Sequence, residues 1–254
     1  MKDVREFGTE KYPLRASALG LLIRCPWRAV LLFLEEAGDS GGKAADTGSA
    51  VHKAVAAWHA TGDVAESIKR MGAHIQEYPL ADLADAELHF RPYTRDPRNR
   101  PETVEATEKK VSMTLSPAES DTTRAPIVIH GTLDQIRNGR VWDVKTGKPE
   151  GWVMLHEHAH QLAAYALAGN YAPGGIIRTQ GYRKRGGDAP EACPDGVFWE
   201  VPYNRRGCEV LLESVRSIVA HIRAGDVWLG PGAHCTYCPA GGLENCVPKL
   251  ISLL

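Results

Sequence analysis

Apolar and largely β-branched residues recur along two short neighbouring segments in the middle of the chain, residues 127–136 and 140–145, which is typical of β-strands. The dipeptide Asn138-Gly139 lies between the two segments, and it tolerates the positive φ angles of a two-residue type I′ turn. The pattern therefore predicts a β-hairpin in which Arg137 pairs with Arg140.

Charged residues of this hairpin are the first candidates for chemistry. Counting outward from the turn places Asp134 directly opposite Asp143, and strand alternation places Lys145 on the same face. Two carboxylates about 5 Å apart repel each other unless a positive charge lies between them. Because oxygen ligands suit Mg²⁺ and Mn²⁺, we interpret the arrangement as a metal site. The alternative is a solvated strand face whose ion pair contributes little.

Helices are predicted on both sides of the hairpin from the apolar spacing of 3.6 residues. Residues 16–37 form two helices broken at Cys25-Pro26, because proline is tolerated only in the first turn of the second. A longer helix runs from about Thr47 to Thr61 and is followed by more helix between residues 63 and 90. Further helices are predicted over 152–168 and 209–224, strands over 103–115, 176–183 and 197–203, and a loop over 91–101.

This order of elements predicts an α/β fold, with a small mixed sheet flanked by helices. The chain has 254 residues, of which 43% are hydrophobic, and this suffices for one domain with a substantial core. We expect a single domain over 1–254, made of an N-terminal helical part (16–90), a catalytic core (103–205) and a C-terminal helix with a cysteine-rich tail (206–254).

The net charge and the length of the apolar runs bear on whether the protein binds nucleic acid or crosses a membrane. The net charge is −1, so any contact with nucleic acid must come from local patches of charge. The N-terminal residues do not resemble a signal peptide, and no apolar run approaches the length that crosses a membrane. We therefore expect a cytoplasmic protein with no membrane partner.

Cysteines are concentrated near the C-terminal end. Cys235 and Cys238 form a Cys-x-x-Cys pair, Cys246 follows, and Cys25 is the candidate fourth ligand. A tail rich in glycine and proline cannot build its own core, which favours a metal-held turn over reduced cysteines. Four thiolates suit zinc or an iron–sulfur cluster, and the spacing does not distinguish them.

Other polar residues gain weight from their positions on predicted helices. His52 lies within the helix that ends near Thr61 and is a candidate ligand for the same metal, although a partly buried structural histidine is the commoner case. Gln161 and Tyr165 are four residues apart on one helix face, suited to hydrogen-bond a phosphate or the lysine. The basic run over 178–185, which includes Arg183 and Lys184, could follow a phosphate backbone.

A competing motif lies at the start of the same helix. His156, Glu157 and His160 match the His-Glu-x-x-His pattern of zinc metalloproteases. No third ligand follows at close spacing, and a protease would leave the hairpin and the cysteines unexplained. We retain it as a minor alternative.

Taken together, these motifs resemble the RecB-like branch of the PD-(D/E)XK nuclease superfamily. The cysteine layout is similar to its iron–sulfur subset, which includes the CRISPR-associated four-cysteine exonuclease and the nuclease domain of AddB. The resemblance rests on Ser17-Ala18-Leu19 with Cys25-Pro26, Gly48-Ser49-Ala50-Val51-His52, Gly131-Thr132-Leu133-Asp134, Trp142-Asp143-Val144-Lys145-Thr146-Gly147-Lys148, Gln161-Leu162-Ala163-Ala164-Tyr165 and the cysteines up to Cys246.

The resemblance implies roles for individual residues. His52, Asp134 and Asp143 would bind Mg²⁺ or Mn²⁺ with the Val144 carbonyl, and Lys145 would orient or deprotonate water or stabilise the phosphate. In addition, Glu108 on the preceding strand would be a further acidic contributor. The four cysteines would hold a structural 4Fe–4S cluster that joins the ends of the chain.

The resemblance also implies an activity, namely a metal-dependent DNA exonuclease acting on single strands or DNA ends. The expected setting is recombination, repair or phage DNA processing, with a separate helicase or recombination partner. The alternative is a DNA-end-binding accessory subunit with weak or no nuclease activity.

Overall fold

The structure is a computed structural model that describes residues 3–35, 42–77, 80–146, 151–179 and 198–230. Its helices are α1 (Leu19–Arg24), α2 (Pro26–Glu35), α3 (Lys43–Thr61), α4 (Val64–Glu77), α5 (Leu83–Arg95), α6 (Gly151–Gly169) and α7 (Arg205–Arg223). Its strands are β1 (Leu14–Arg15), β2 (Ala106–Leu115), β3 (Ile127–Arg137), β4 (Arg140–Thr146), β5 (Ala172–Thr179) and β6 (Phe198–Glu200).

The strands form one mixed sheet in the order β1-β3-β4-β5-β6, with β2 paired to β3. The β1–β3 and β4–β5 pairs are parallel, and the β2–β3, β3–β4 and β5–β6 pairs are antiparallel. Helices pack on both faces of this sheet. The predicted α/β class and mixed sheet are therefore confirmed.

The hairpin between β3 and β4 closes as predicted. Asn138 and Gly139 have φ angles of 49° and 65°, the positive values of a type I′ turn. Arg137 pairs with Arg140, and the ladder continues as far as the pair of Gln135 with Trp142. The predicted next pair, Asp134 with Asp143, is not part of the ladder within the described residues, which corrects the sequence prediction.

An opening in the sheet lies at this point. Because β2 occupies one edge of β3, β1 and β4 share the other edge, at residues 129–130 and 135–137. Between them, residues 131–134 have no strand partner on that edge among the described residues. The N–H of Val144 on β4 is instead donated to the side chain of Asp134. The two strands therefore separate where the charged residues stand.

Two buried clusters hold helices against the two faces of the sheet. On one face α1, α2, α6 and α7 pack against Ile129 and Leu133 of β3. On the other face α3, α4 and α5 pack against Trp142 and Val144 of β4 and Ile177 of β5. The site therefore lies between two helical layers, and each layer can reach it.

Helix boundaries differ from the sequence prediction where packing outweighs local signals. Helix α5 continues through Pro92 to Arg95 rather than ending before a loop at residue 91, because Phe90, Pro92 and Tyr93 are all buried. Helix α3 begins at Lys43, several residues before the predicted start. Among the described residues, no helix combines the length and apolar character needed to cross a membrane.

A buried ion pair ties the last helix to the connection between β2 and β3. Arg223 of α7 donates to Asp121 Oδ2 at 2.7 Å, and both side chains are fully buried. The same guanidinium donates to the carbonyl oxygens of Phe7, Ala125 and Pro126. One side chain thus joins the N-terminal segment, the connection and α7.

Candidate active site

Asp134 is held from two sides at the opening of the sheet. Its Oδ2 accepts the Val144 N–H at 2.7 Å, and its Oδ1 lies 3.0 Å from Nδ1 of His52 on α3. These side chains are only slightly exposed, at 25% for His52 and 15% for Asp134. The predicted approach of His52 to the hairpin carboxylates is thus present in the structure.

Asp143 is held from the opposite helical layer and is 1% exposed. Its Oδ1 accepts a hydrogen bond of 3.0 Å from Nε2 of Gln161 on α6. Its Oδ2 forms an ion pair with the Lys145 ammonium at 2.8 Å. Both oxygens of this buried carboxylate therefore contact a side chain of the protein, one from α6 and one from β4.

Charge and burial move the pKa values of the two carboxyl groups in opposite directions. Burial raises the pKa of Asp143 to about 6, with the neighbouring charge of Asp134 adding to it and Lys145 opposing it. Burial would also raise the pKa of Asp134, but the contact with His52 outweighs it and lowers that pKa to about 2. Asp134 is therefore ionised throughout the neutral range.

The nitrogen groups beside these carboxylates are affected in turn. Burial lowers the pKa of Lys145, yet the charges of Asp143 and Asp134 raise it by more, so the ammonium stays charged. Burial also lowers the pKa of His52, and the contact with Asp134 raises it by more. Each carboxylate therefore has a nitrogen group of the chain beside it, the Lys145 ammonium at Asp143 and the His52 ring at Asp134.

The donor set fits a divalent cation in its chemistry. His52, Asp134 and Asp143 offer an imidazole and two carboxylates, which suit Mg²⁺ or Mn²⁺. In this structure, however, no group of three His, Cys, Asp or Glu side chains within the described ranges is arranged to hold a metal. His52 and Lys145 contact the carboxylates directly instead.

Gln161 links the carboxylate to a tyrosine and a histidine on the same helix. Its Nε2 donates to Asp143 and also to the Tyr165 hydroxyl at 3.1 Å, and its Oε1 lies 3.1 Å from Nδ1 of His158. The side chain that Gln161 contacts is thus Asp143 and not Lys145. His158 was not predicted from the sequence as part of the site, although its position three residues before Gln161 places the two on one helix face.

Glu108 lies beside Asp134 in the antiparallel register of β2 and β3, between the pairs Thr107–Gln135 and Lys109–Leu133. Its φ of 48° is rare for a residue with a side chain. The side chain borders a small cavity with His52, Asp134 and Val144, and it accepts hydrogen bonds of 3.0 and 3.1 Å from Lys53 Nζ. The predicted acidic contributor therefore does reach the site.

Several predicted residues lie outside the described part of the chain. They are Cys235, Cys238, Cys246, Arg183 and Lys184. Cys25 is described and is buried at the junction of α1 and α2.

The His-Glu-x-x-His residues are engaged elsewhere. Glu157 forms an ion pair with Arg24 at 2.7 Å, and His160 Nε2 lies 3.1 Å from the Ser214 hydroxyl. Burial lowers the pKa of His160 to about 4, so it is neutral at physiological pH. The structure gives no support to the zinc protease alternative.

Comparison with known proteins gives one family. Residues 13–242 match the PD-(D/E)XK nuclease superfamily. The crystal structure of SSO0001 is similar with a TM-score of 0.42 and 14% sequence identity, over 89% of this chain and 82% of that chain. No curated protein matches this sequence. The family match includes the hairpin and the residues that contact it, and on this basis the chain belongs to the PD-(D/E)XK nuclease superfamily.

Proposed function

We propose that this protein is a divalent-metal-dependent DNA exonuclease that hydrolyses phosphodiester bonds of single strands or DNA ends. The observation that carries the proposal is the contact cluster of His52, Asp134, Asp143 and Lys145 at the opening of the sheet. Two helical layers and two strands converge on it, and this arrangement holds the four groups in fixed relative positions.

In the proposed enzyme His52, Asp134, Asp143 and the Val144 carbonyl would hold Mg²⁺ or Mn²⁺. Such an ion supplies Lewis acidity at the phosphoryl oxygen and makes bound water more acidic. Asp134 keeps its negative charge at neutral pH because of His52, so it is always ready to act as a ligand.

Lys145 supplies positive charge where the reaction develops negative charge. An ammonium group has three donors and no acceptor, so in its charged state it stabilises phosphoryl oxygens and orients water. Its present partner is Asp143, and this contact points the amine into the site.

Gln161 and Tyr165 position the site from α6. The Gln161 amide fixes Oδ1 of Asp143, while Oδ2 faces the Lys145 ammonium. Tyr165 in turn fixes the amide. We propose that this chain of hydrogen bonds orients Asp143 before substrate arrives.

Linear and circular DNA test the exonuclease assignment. Single-stranded DNA labelled at the 5′ or 3′ end is incubated with Mg²⁺, Mn²⁺ or EDTA, beside a circular single strand of similar length. The proposal expects metal-dependent loss of the linear strands and survival of the circle. Cleavage of the circle would contradict exonuclease action, and equal degradation in EDTA would contradict dependence on metal.

A DNA-binding subunit without strong nuclease activity is the second candidate. The observation that favours it is that His52 and Lys145 of the chain itself contact the two carboxylates directly. This candidate expects the wild-type protein to bind DNA ends in Mg²⁺ or Mn²⁺ without hydrolysing them.

We also propose that Cys25, Cys235, Cys238 and Cys246 hold a 4Fe–4S cluster, with zinc as the alternative. The proposal is supported by the path of the chain before the tail: the Trp27 N–H donates to the Trp228 carbonyl, and Gly230 packs directly against the Arg24 carbonyl. The tail therefore starts beside Cys25. Iron, sulfide and zinc contents of anaerobically purified protein decide between the metals, and Cys25→Ser is expected to lower the metal content.

A further inference from the structure

Two adjoining cavities form a groove beside the active site. One is lined by Lys110, Ser112, Thr132 and Tyr165, among others, and the other runs over α1, α2 and the start of β1. Arg15, Ser17 and His130 line both, so the two cavities share a wall. We call the combined surface the N-terminal groove.

The groove lies beside the catalytic cluster, and Gln161 links the two by hydrogen bonds. Tyr165 lines one cavity and His158 lines the other, and Gln161 is in hydrogen-bond contact with both and with Asp143. Along β3, His130 is four residues before Asp134, a distance of about 13 Å at the rise of a strand. A ligand held at the cluster can therefore extend directly into the groove.

Positive charge is concentrated in this groove. The net charge of the whole chain is −1. Among the described residues that line the groove, Glu157 is the single acidic side chain, and it is paired with Arg24. Arg15 and Lys110 are exposed and form no ion pair with a described residue. The cationic side chains along the groove are Lys11, Arg15, Arg24, Arg28 and Lys110, of which Lys11 is paired with Glu6 at 2.9 Å.

Aromatic rings lie at the far end of the groove. Tyr12 and Phe33 both line it and meet edge to face, with ring centroids 5.2 Å apart, and the Lys11 ammonium lies over the Tyr12 ring, 5.0 Å from its centroid. Cations that follow a phosphate backbone, together with aromatic rings on which bases stack, are the features of proteins that bind single strands of nucleic acid. A duplex hides its bases in the stack and cannot use such rings.

We propose that the N-terminal groove binds one strand of DNA, with its phosphates at Arg15 and Lys110 and a base on Tyr12, as that strand leaves the catalytic cluster. This inference deepens the proposed function and rests on it for the identity of the polymer. It assigns the protein a preference for single-stranded substrate, and it gives the residues that produce the preference.

Binding without metal tests the groove separately from catalysis. A fluorescent 20-nucleotide single strand and a blunt duplex of the same length are titrated in EDTA at several salt concentrations. The expected result is tighter binding of the single strand. In Arg15→Ala/Lys110→Ala the logarithmic salt slope should fall by about 1.4, since each lost phosphate contact on a single strand removes about 0.7.

Lys109→Ala is the matched control for Lys110. Lys109 is the neighbouring lysine on the same strand, but it donates to the Tyr171 hydroxyl at 2.6 Å and does not line the groove. Its substitution should leave the slope unchanged. An equal effect of the two lysines, or an unchanged slope in the double variant, would overturn the proposal.

The stacking contact has its own pair of variants. Tyr12→Leu keeps apolar volume but removes the ring, whereas Tyr12→Phe keeps the ring. We expect roughly tenfold weaker binding of the single strand for Tyr12→Leu, because the stacking of one base is lost, and unchanged binding for Tyr12→Phe. Equal affinities of the two variants would contradict the assignment of Tyr12.

Hydrolysis of bis-(p-nitrophenyl) phosphate separates this inference from the proposed function. This small diester needs the catalytic cluster alone, so the double variant should hydrolyse it at the wild-type rate while it degrades long single strands more slowly. Groove-dependent binding without any hydrolysis would support the groove and reject the nuclease. Hydrolysis of long strands that does not depend on the groove would support the nuclease and overturn the groove.

Discussion

At the scale of single residues, the site depends on which groups contact the oxygens of each carboxylate. Asp134 uses its two oxygens in contacts with Val144 and His52, whereas Asp143 uses its two oxygens in contacts with Gln161 and Lys145. The sequence identified these residues but placed Asp134 and Asp143 as cross-strand partners. Facing carboxylates repel, and the Val144 N–H is bound by the Asp134 side chain, so the ladder ends one pair earlier.

Gln161 gives the first prediction at this scale. Gln161→Leu removes the donor that orients Asp143, and we expect nuclease activity to fall about 10- to 100-fold, as is usual for residues that orient metal ligands. The matched variant, Tyr165→Phe, removes the hydroxyl and leaves the contact between Gln161 and Asp143 intact. It should lose less activity. Initial rates on a labelled single strand measure both, and a larger loss in Tyr165→Phe would contradict the role of Gln161.

Gly131 gives the second prediction. A Cβ at this position would lie 2.5 Å from Cε1 of Tyr165 and 3.0 Å from Cβ of Ala16. Gly131→Ala must therefore displace the tyrosine ring, and we expect a loss of about 1–3 kcal/mol in the free energy of unfolding together with lower activity. Gly72→Ala on α4 is the control, since its Cβ would meet nothing within 4 Å. Urea denaturation of both variants should show a loss for Gly131→Ala alone.

At the scale of elements, local sequence signals and packing compete. The type I′ turn was predictable because Asn138-Gly139 suits its two positive φ angles. The continuation of α5 past Pro92 was not, because burial of Phe90 and Tyr93 against α3 outweighs the proline, and burial is a property of the assembled fold. The positive φ of Glu108 likewise has no signal in the sequence.

The buried ion pair between Arg223 of α7 and Asp121 of the β2–β3 connection should make the stability of the protein depend on pH. Burial would raise the pKa of Asp121, but hydrogen bonds from Thr123 and Arg223 lower it overall. A carboxyl whose pKa is lowered on folding stabilises the protein above its unfolded pKa, about 3.9, and loses that contribution as the pH falls through the folded value.

Asp121→Asn should therefore cost about 3 kcal/mol or more at pH 7, as expected when one partner of a buried ion pair is removed. The difference from wild type should begin to shrink as the pH falls below about 4, where the carboxyl of the unfolded chain becomes protonated, and should shrink further as the pH falls through the lower pKa of the folded protein. Urea denaturation of both proteins between pH 7 and pH 3 measures this. A difference that stays constant with pH would show that Asp121 does not stabilise the fold through its charge.

At the scale of the whole molecule, the helical layers on both sides of the sheet contribute side chains to the opening between β1 and β4. The sequence predicted the class of fold, since helices on both sides of a hairpin and further strands require a sheet covered on two faces. It did not predict the opening, because that depends on β1, a two-residue strand with no periodic pattern. The N-terminal groove was not predicted either, because its cations come from segments that are far apart in sequence.

The placement of the chemistry at the hairpin is tested by metal-dependent hydrolysis of an end-labelled single strand. The rates of Lys145→Met and Lys109→Met are compared with that of wild type. Methionine keeps most of the side-chain length and removes the charge, and thermal melting shows that each variant is folded. We predict that Lys145→Met loses activity by at least about 100-fold, as is usual when a group that stabilises developing charge is removed. We predict that Lys109→Met keeps the wild-type activity. Wild-type activity in folded Lys145→Met would contradict the placement of the chemistry at the hairpin.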